Sequence, residues 1–197
     1  MTSSPARQDA PAEVPGPPLP RLEGPWSARI AQAEGADLDL VHGWMQEPHI
    51  DAFWHQAWPR ERWVEEISGH LAGEAILPVV IRHEGSDLAY IEVYRVQRDR
   101  LAGHYPHLPH DLGVHIAIGE AGRTGKGLGR ALLRALAEGL LAADPHCTRV
   151  VAEPDVTNAP SLKAFTAAGF RPAGEVVFPD KKAALLVHPR SDKDMPR

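Results

Sequence analysis

The sequence predicts an α+β domain in which helices flank a mixed, mostly antiparallel central sheet. Two pairs of strand patterns surround short turns, at Gly85-Ser86-Asp87 and at Pro179-Asp180, and such pairs are typical of β-hairpins. A Gly-rich turn over 120–126 joins another strand pattern to a long run of leucines at helical spacing. Hairpins and helices in one chain, without an internal repeat, favour the α+β class.

The first half of the chain is predicted to contain three strands and at least two helices. Trp63, Ile67 and Leu71 recur at helical spacing, and Gly35-Ala36-Asp37 leads into an earlier helix. The predicted elements are a strand over 26–30, a helix near 37–46, an irregular loop or short helix over 48–59, a helix over 60–71, and a strand pair over 75–83 and 88–96.

The second half is predicted to contain the longest helix and the last strands. The leucines from Leu128 to Leu140 form a helical stripe that Asp144-Pro145 ends. Asn158 is the predicted N-cap of a later helix, and Gly169 is its predicted C′ residue. The predicted elements are a His- and Pro-rich loop over 97–110, a strand over 111–119, the turn over 120–126, a helix from 127 to about 143, a strand over 149–153, a helix over 158–169, and a hairpin over 175–178 and 183–188.

Composition and charge exclude several classes of protein. The chain has 197 residues, 43% of them apolar, and a net charge of −5 with its 11 His counted as neutral. This balance argues against general nucleic-acid binding and against a polybasic membrane anchor, because both need a basic surface. Cys147 is the only cysteine, so no internal disulfide forms and a reducing compartment is expected. Without an apolar run of signal or membrane-spanning length, the protein is expected to be cytoplasmic.

The two ends of the chain differ in composition from the rest. Residues 1–25 contain seven of the 19 prolines and almost no large apolar residues, which predicts a disordered Pro-rich tail. Residues 191–197 are polar and predict a short C-terminal tail. One domain is therefore expected over 26–190, either as a monomer or as a homodimer.

The stretch 123–130 combines glycines with positive charge where a strand gives way to a helix. Gly125, Gly127 and Gly129 lack Cβ atoms, so the backbone can approach a ligand closely. The first N–H groups of a helix have no acceptor inside it, and the helix dipole is positive there. A diphosphate fits such an end, and Lys126 and Arg130 add charge to it. The spacing matches neither a P-loop nor a dinucleotide fingerprint, and a tight turn without a ligand is the alternative.

Two motifs in this half of the chain resemble those of the GNAT acyltransferases. Gly125-Lys126-Gly127-Leu128-Gly129 is similar to the family's acetyl-CoA motif, with Thr124 in the place of the usual Gln or Arg. The run from Asn158 through Ser161 and Phe165 to Gly169-Phe170 matches the family's Asn-x-x-Ala-x-x-x-Tyr-x-x-x-Gly-Phe at every spacing. The resemblance covers roughly residues 26–190 and implies the GNAT fold.

The resemblance also implies acetyl-CoA or another acyl-CoA as co-substrate, without a metal. The implied coenzyme-binding residues are Ile116, Ile118, Thr124, Gly125, Lys126, Gly127, Leu128, Gly129, Arg130, Asn158, Ser161 and Phe165. Phe165 departs from the family pattern, because it replaces a Tyr whose hydroxyl is often proposed to protonate the departing thiolate. That role is vacant here or is filled otherwise, for example by water.

Three further stretches resemble the siderophore hydroxamate acyltransferases within this family. They are Pro48-His49-Ile50 with Trp54, then 111–115, then 153–158. These enzymes acylate the N-hydroxylated side-chain amine of lysine, ornithine or cadaverine. By resemblance, His115 and Asp155 are the catalytic pair, with Asp155 holding the imidazole or the substrate nitrogen. The alternative for Asp155 is a turn residue that bonds nearby N–H groups. His49 and Trp54 are expected to bind the acceptor, Trp54 as a wall of its pocket.

His115 is a candidate on its pattern alone. Residues of a strand alternate between faces, so His115 shares its face with Gly113, Ala117 and Gly119. These small neighbours are expected to leave room for a ligand beside the imidazole. An imidazole there can orient a nucleophile and accept its proton. The alternative is a buried structural histidine.

The histidines invite a metal interpretation that the spacing does not support. His104, His107 and His110 precede His115, but the first three lie in a Pro-rich loop and no carboxylate pattern completes a site. The expected substrate is a small-molecule amine or N-hydroxyamine, with no nucleic acid and no membrane as partner. Two alternatives remain open, an aminoglycoside 6′-N-acetyltransferase and a non-catalytic CoA-binding module.

Overall fold

A computed structural model describes residues 14–119 and 127–196 of the chain. Seven strands form one sheet in the order β1-β2-β3-β4-β5-β7-β6. Their bounds are β1 Trp26–Ile30, β2 Ile76–His83, β3 Ser86–Arg95, β4 Leu112–Ile118, β5 Arg149–Ala152, β6 Arg171–Val177 and β7 Lys182–Pro189. Only β4 and β5 pair in parallel, and every other neighbouring pair is antiparallel. The predicted α+β class with a mostly antiparallel sheet is confirmed.

Helices cover both faces of this sheet. They are α1 Gly35–Met45, α2 Pro48–Trp54, α3 Arg60–Ala72, α4 Leu128–Ala143 and α5 Ala159–Ala167. Shorter 3₁₀ turns lie at Val96–Arg98, Arg100–Gly103 and Asp192–Asp194. The predicted bounds hold to within a few residues, except that β6 begins at Arg171, four residues earlier, because it pairs with β7 from that point.

Two apolar cores hold the helices in place. The leucine stripe of α4 and the Phe165 ring of α5 pack on one face against residues such as Val114 and Val150. The helices α1, α2 and α3 pack on the other face around Trp63 and Tyr90. Each apolar side chain that is fully buried in this way stabilises the fold by about 1.5–3 kcal/mol. The sheet is therefore fixed from both sides, and its main chain is a rigid frame for a site.

Residues 14–25 lie along the domain, unlike the disordered tail predicted through residue 25. The buried guanidinium of Arg95 donates to the main-chain oxygens of Pro15 and Gly16, at 2.9 and 3.3 Å. The N–H of Arg21 donates to the oxygen of Gly139 in α4 at 3.1 Å. A buried guanidinium needs acceptors, and the main chain of this segment supplies them whatever its composition. The remaining residues of that prediction, 1–13, lie outside the described part of the chain.

Candidate active site

Strands β4 and β5 separate soon after they meet. Their pairing covers only Leu112 with Val150 and Gly113 with Val151, although β4 runs on to Ile118. On the other side, β4 pairs with β3 over its whole length, and the N–H of Gly119 donates to the main-chain oxygen of Leu88. Because main-chain groups of a strand alternate between its edges, those of Ile116 and Ile118 point away from β3. They line the open edge where a ligand can add to the sheet.

Helix α2 lies against this open edge. The indole Nε1 of Trp54 donates to the oxygen of Ile116 at 3.3 Å, and His49 Nε2 lies 3.0 Å from the oxygen of Ile118. Trp54 and His49 stand at the two ends of the same short helix, which explains how both reach β4. Ile116, Ile118, His49 and Trp54, four of the predicted binding residues, therefore lie together at this edge of the sheet. Of the two on α2, Trp54 lines the adjoining cavity and His49 does not.

The first turn of α4 abuts the end of β4. Gly127 has a φ of +79°, a conformation that favours glycine, and its oxygen accepts from the N–H of Ala131 at 3.1 Å. A Cβ at Gly129 would lie 3.2 Å from the Cδ1 atom of Ile118, so the helix comes this close because the residue is glycine. The early N–H groups of α4, at Leu128 and exposed Arg130, thus stand beside the open edge. The predicted binding residues Thr124, Gly125 and Lys126 lie outside the described residues.

Helix α5 forms another wall of the site. The side-chain oxygen of Asn158 accepts from the N–H of Ser161 at 3.1 Å, so the predicted N-cap is confirmed. Phe165 is buried and packs edge-on against Phe170, with ring centroids 4.9 Å apart. Asn158, Ser161 and Phe165 all line the same cavity, and the ring of Phe165 brings no hydroxyl to it.

A cavity of about 620 Å³ lies between β4 at Ile116, the end of α2 and helix α5, and its lining does not include Ile118 or the described start of α4. At one side lie the open edge of β4 and helix α5, and at the other lie the end of α2, the residues after β5 and the turn between β6 and β7. Its lining includes Trp54, Ile116, His115, Glu153, Asp155 and Lys181. A volume of this order holds a small substrate together with the reactive end of a larger one.

The imidazole of His115 is held between two carboxylates. Its Nδ1 lies 3.2 Å from Glu92 Oε2, and its Nε2 lies 2.7 Å from Glu153 Oε1. Glu92 comes from β3 and Glu153 from the residue after β5, so three neighbouring strands build the cluster. Both carboxylates are almost fully buried, while 31% of the His115 side chain is exposed. Two carboxylate oxygens require two N–H donors, so the ring is the doubly protonated imidazolium.

The charges of the three groups agree with this arrangement. Burial acts to lower the pKa of His115, but the attraction and hydrogen bonding of Glu153, and then of Glu92, outweigh it and raise the pKa to about 10. Burial acts to raise the pKa of both carboxyls, but His115 and its neighbours outweigh it and lower each pKa to about 2. His115 is therefore cationic at neutral pH. Both ring nitrogens are engaged in this arrangement, so the expectation that His115 accepts a proton from the substrate stays a prediction.

Further groups extend the cluster on both sides. The hydroxyl of Tyr90 donates to Glu92 Oε1 at 3.3 Å, and His70 Nε2 lies 3.4 Å from the same oxygen. The hydroxyl of Tyr94 donates to Glu153 Oε2 at 2.6 Å. Lys181 Nζ donates to the main-chain oxygen of Glu153 at 2.9 Å and lies 3.7 Å from its Oε1. Each buried carboxylate thus has several donors, as a buried charge requires.

Asp155 does not hold the imidazole. Its Oδ1 accepts from the N–H of Thr157 at 2.7 Å and from the Thr157 hydroxyl at 2.5 Å, in a turn after β5. Glu153, which directly follows β5 and precedes Asp155 by two residues, contacts His115 in the place that the resemblance assigned to Asp155. Asp155 still lines the cavity, so a contact with the acceptor stays a prediction.

The small residues beside His115 do not leave an empty space. A Cβ added at Gly113 would overlap the ring of Tyr94, and one at Gly119 would overlap the indole of Trp44. Aromatic side chains from β3 and α1 fill the room that the sequence suggested for a ligand. The space beside His115 lies instead on the side of Trp54, whose ring is edge-on to the imidazole with centroids 6.1 Å apart.

Two negative findings concern the described part of the chain. Within residues 14–119 and 127–196, no group of three or more His, Cys, Asp or Glu side chains is arranged to hold a metal ion. Over the same ranges, no helix has the length and apolar character needed to cross a membrane.

Comparison with known proteins places the chain among acyltransferases. Residues 34–178 match the family described as acetyltransferase (GNAT) domain. The chain is 36% identical to a lysine N-acyltransferase, MbtK, of Mycolicibacterium paratuberculosis, over 94% of this chain and 84% of that protein. It is 31% identical to an N-hydroxyputrescine acetyltransferase of Acinetobacter baumannii, over 77% of this chain and 72% of that protein.

The solved structures include relatives with bound coenzyme A. An aminoglycoside acetyltransferase AAC(6′)-Ib in complex with coenzyme A superposes with a TM-score of 0.76 at 26% identity, over 84% of this chain and 95% of that one. The open edge of β4, the exposed start of α4 and the apolar wall of α5 fit an extended thioester with a diphosphate at its far end.

Proposed function

The chain belongs to the GNAT acetyltransferase family, and within it we propose an enzyme that acylates an N-hydroxylated side-chain amine. It is an acyl-CoA-dependent acyltransferase that acts on amines. The finer proposal is that the acceptor is the N-hydroxy form of lysine, ornithine or cadaverine, and that the product is a hydroxamate used in siderophore biosynthesis. The similarity to a lysine N-acyltransferase and to an N-hydroxyputrescine acetyltransferase supports it.

One observation carries the proposal, namely that His115 has both nitrogens engaged by carboxylates. An ordinary side-chain amine has a pKa near 10.4 and must lose a proton before it can attack a thioester. A neutral imidazole could take that proton, but an imidazolium whose two N–H groups both donate to carboxylates cannot. An N-hydroxylated amine is much less basic and is already neutral near pH 7. A site that lacks a free base therefore suits the N-hydroxylated acceptor.

In the proposed complex, the main-chain N–H groups of Ile116 and Ile118 hold the thioester arm, because the oxygens of these residues are already contacted by Trp54 and His49. The glycines and N–H groups at the start of α4 receive the diphosphate, together with Thr124, Gly125 and Lys126, which precede them in the sequence. Trp54 walls the acceptor side. The protein's main contribution is to orient the two substrates and to stabilise the charge that develops on the carbonyl oxygen.

The chemical step forms a C–N bond and breaks a C–S bond. After attack, the nitrogen carries a proton that is far more acidic than in the free acceptor, so a weak acceptor suffices to remove it. Water in the cavity is the proposed acceptor, because both nitrogens of His115 and both oxygens of Glu153 are already engaged in hydrogen bonds. The thiolate takes a proton from solvent, because Phe165 has no hydroxyl to give.

An aminoglycoside 6′-N-acetyltransferase is the second candidate, which the likeness to a solved aminoglycoside enzyme favours. Such substrates carry several positive charges and need unpaired carboxylates around the cavity. Here Glu92 and Glu153 bind His115, Asp180 binds Arg100, and Asp155 binds Thr157. Three of these four carboxylates are bound to cationic side chains, which supports the N-hydroxylated acceptor over the polycationic sugar.

An assay of thiol release tests the proposal. Acetyl-CoA and succinyl-CoA are each combined with lysine, ornithine and cadaverine, with their N-hydroxy forms, and with an aminoglycoside. We expect turnover with N-hydroxy acceptors and little with the parent amines or the aminoglycoside. Equal or faster turnover of a parent amine would contradict the proposal.

A matched pair of variants assigns the role of the cluster. His115→Gln should lower turnover about a hundredfold or more while coenzyme A still binds, since proton-transfer and orienting groups typically contribute factors of about 10² to 10⁴. His83→Gln, on β2 beside Trp26, is the control and should leave turnover unchanged. An unchanged rate in His115→Gln removes the cluster from the mechanism.

A further inference from the structure

The far end of the cavity carries two cationic side chains that the chemistry described above does not use. Arg100 lies in a 3₁₀ turn after β3, and Lys181 lies in the turn between β6 and β7. Both line the cavity and both approach the ring of Phe178, at 4.2 Å for Arg100 Cζ and 5.6 Å for Lys181 Nζ. We propose that Lys181 and Arg100 form a binding site for a carboxylate carried by one of the two substrates. This inference rests on the proposed function.

Lys181 keeps donors available at the cavity wall. Its ammonium has three N–H groups, and one donates to the main-chain oxygen of Glu153 at 2.9 Å. Glu153 Oε1 lies 3.7 Å away, beyond hydrogen-bond reach, and is itself bound to His115. With 22% of its side chain exposed, Lys181 is anchored in one orientation and still reaches the cavity. An anchored cation loses little side-chain freedom when it binds an anion.

Arg100 is held in a similar way. Its Nη1 donates to both oxygens of Asp180, at 2.9 and 3.1 Å, and its guanidinium lies over the face of Phe178. The Nε and Nη2 donors make no hydrogen bond to a described residue, so they are available to a ligand oxygen. A guanidinium fixed on an aromatic ring is well suited to a planar carboxylate.

The carboxylates that line the cavity are, by contrast, all engaged. Glu92 and Glu153 each bind His115, Asp180 accepts two bonds from Arg100, and Asp155 accepts two from Thr157. The donors that remain at the cavity's far end are those of Lys181 and Arg100, whereas each carboxylate there already accepts hydrogen bonds. Such a surface favours a ligand group that only accepts hydrogen bonds and carries negative charge, which describes a carboxylate.

The carboxylate has two possible sources among the proposed substrates. A lysine- or ornithine-derived acceptor carries one on its α-carbon, whereas a cadaverine-derived acceptor carries none. A succinyl group carries one at its far end, whereas an acetyl group carries none. In both cases Lys181 and Arg100 would bind the same chemical group, and the substrate combinations below distinguish the two sources of the carboxylate.

The test crosses two acyl donors with two acceptors in the full-length protein. Acetyl-CoA and succinyl-CoA are each combined with N⁶-hydroxylysine and N-hydroxycadaverine, and kcat and KM are measured separately. Lys181→Met and Arg100→Gln are compared with the wild type. Lys182→Met is the matched control, because Lys182 is the next residue, is half exposed and pairs with Glu175 at 2.6 Å away from the cavity lining.

We expect the Lys181→Met change to raise KM by about ten- to one-hundredfold for combinations that contain the recognised carboxylate, the size of one charged hydrogen bond. The combination of acetyl-CoA with N-hydroxycadaverine contains no acceptor or acyl carboxylate, and its KM should change less than threefold. Arg100→Gln should follow the same pattern with a smaller effect, and Lys182→Met should resemble the wild type. A penalty confined to N⁶-hydroxylysine assigns the carboxylate to the acceptor, and one confined to succinyl-CoA assigns it to the acyl chain.

An equal penalty in all four combinations overturns the inference, because it means that Lys181 only supports Glu153. So does a wild-type enzyme that turns over acetyl-CoA with N-hydroxycadaverine as efficiently as the other combinations. Absence of turnover with these two acceptors and with N-hydroxyornithine overturns the proposed function itself, and the inference with it.

Discussion

Replacing Glu92 by Gln tests how the charge of His115 is maintained. The change keeps the shape of the side chain and removes one of the two carboxylates, 3.2 Å from His115 Nδ1. An opposite charge at this range shifts a pKa by about 1–3. The pKa of His115, about 10 in the intact cluster, should therefore fall to between about 7 and 9 in the variant.

An NMR titration of the histidine ring signals measures this shift. The His115 signal is assigned by its loss in His115→Gln, and its chemical shift is followed from pH 5 to 11. Glu66→Gln is the matched control, because Glu66 lies 3.5 Å from His70, one step further along the cluster. The control should leave the pKa of His115 nearly unchanged. A Glu92→Gln variant whose His115 titrates as in the wild type would refute the explanation by paired carboxylates.

Two further predictions concern the stability of the fold. The pKa of His115 is raised from its unfolded value of 6.5, so the stability that His115 contributes is complete below pH 6.5 and is lost as pH rises through about 10. The pKa values of Glu92 and Glu153 are lowered to about 2, so the stability that they contribute is complete above pH 4.5 and is lost as pH falls toward 2. The midpoint of chemical denaturation should accordingly peak between pH 4.5 and 6.5, and His115→Gln should flatten this dependence. Gly113→Ala should lower the free energy of unfolding by about 1–3 kcal/mol in the same measurement, because the new Cβ overlaps the Tyr94 ring.

Each stability prediction has its own control and its own contrary result. Gly43→Ala adds a Cβ to the interior of α1 with no atom within 4 Å, so it should be neutral or stabilise by up to about 1 kcal/mol. A Gly113→Ala variant as stable as Gly43→Ala would show that Tyr94 moves aside freely. A pH dependence that survives unchanged in His115→Gln would place its origin outside the cluster.

The sequence was sufficient for those features that depend on local pattern. The leucine stripe of α4 fixed its length to within a residue, and Asn158 caps α5 as its spacing to the helix predicted. The two motifs likewise predicted which family the chain belongs to. These signals work because helix periodicity, capping and turn chemistry are properties of neighbouring residues.

The partners of His115 were not predicted, because they depend on strand order and register. Glu92 precedes His115 by 23 residues and Glu153 follows it by 38, and only the pairing of three strands brings them together. A signal was available, since Glu92 interrupts the apolar strand Ile91 to Val93 and Glu153 directly follows the buried β5. A charged residue in such a place needs a buried partner.

The prediction of ligand space beside the β4 glycines also failed because it depends on contacts between distant residues. The small side chain of Gly113 predicts room for a ligand, but the space beside a glycine is open only if no neighbouring side chain occupies it. The ring of Tyr94 occupies that space. The composition of residues 14–25 predicts disorder, whereas their main chain supplies acceptors to the buried Arg95. In both cases the deciding contact comes from a residue far along the chain.

The central claim is that the open edge of β4 and the start of α4 together bind an acyl-CoA. A crystal structure of the protein with coenzyme A tests this most directly. The account predicts the diphosphate at the first turn of α4, beside Gly127 and Arg130, and the thiol arm along Ile116 and Ile118 toward His115. Density for coenzyme A at any other surface, or calorimetry that finds no affinity for it, would contradict the claim.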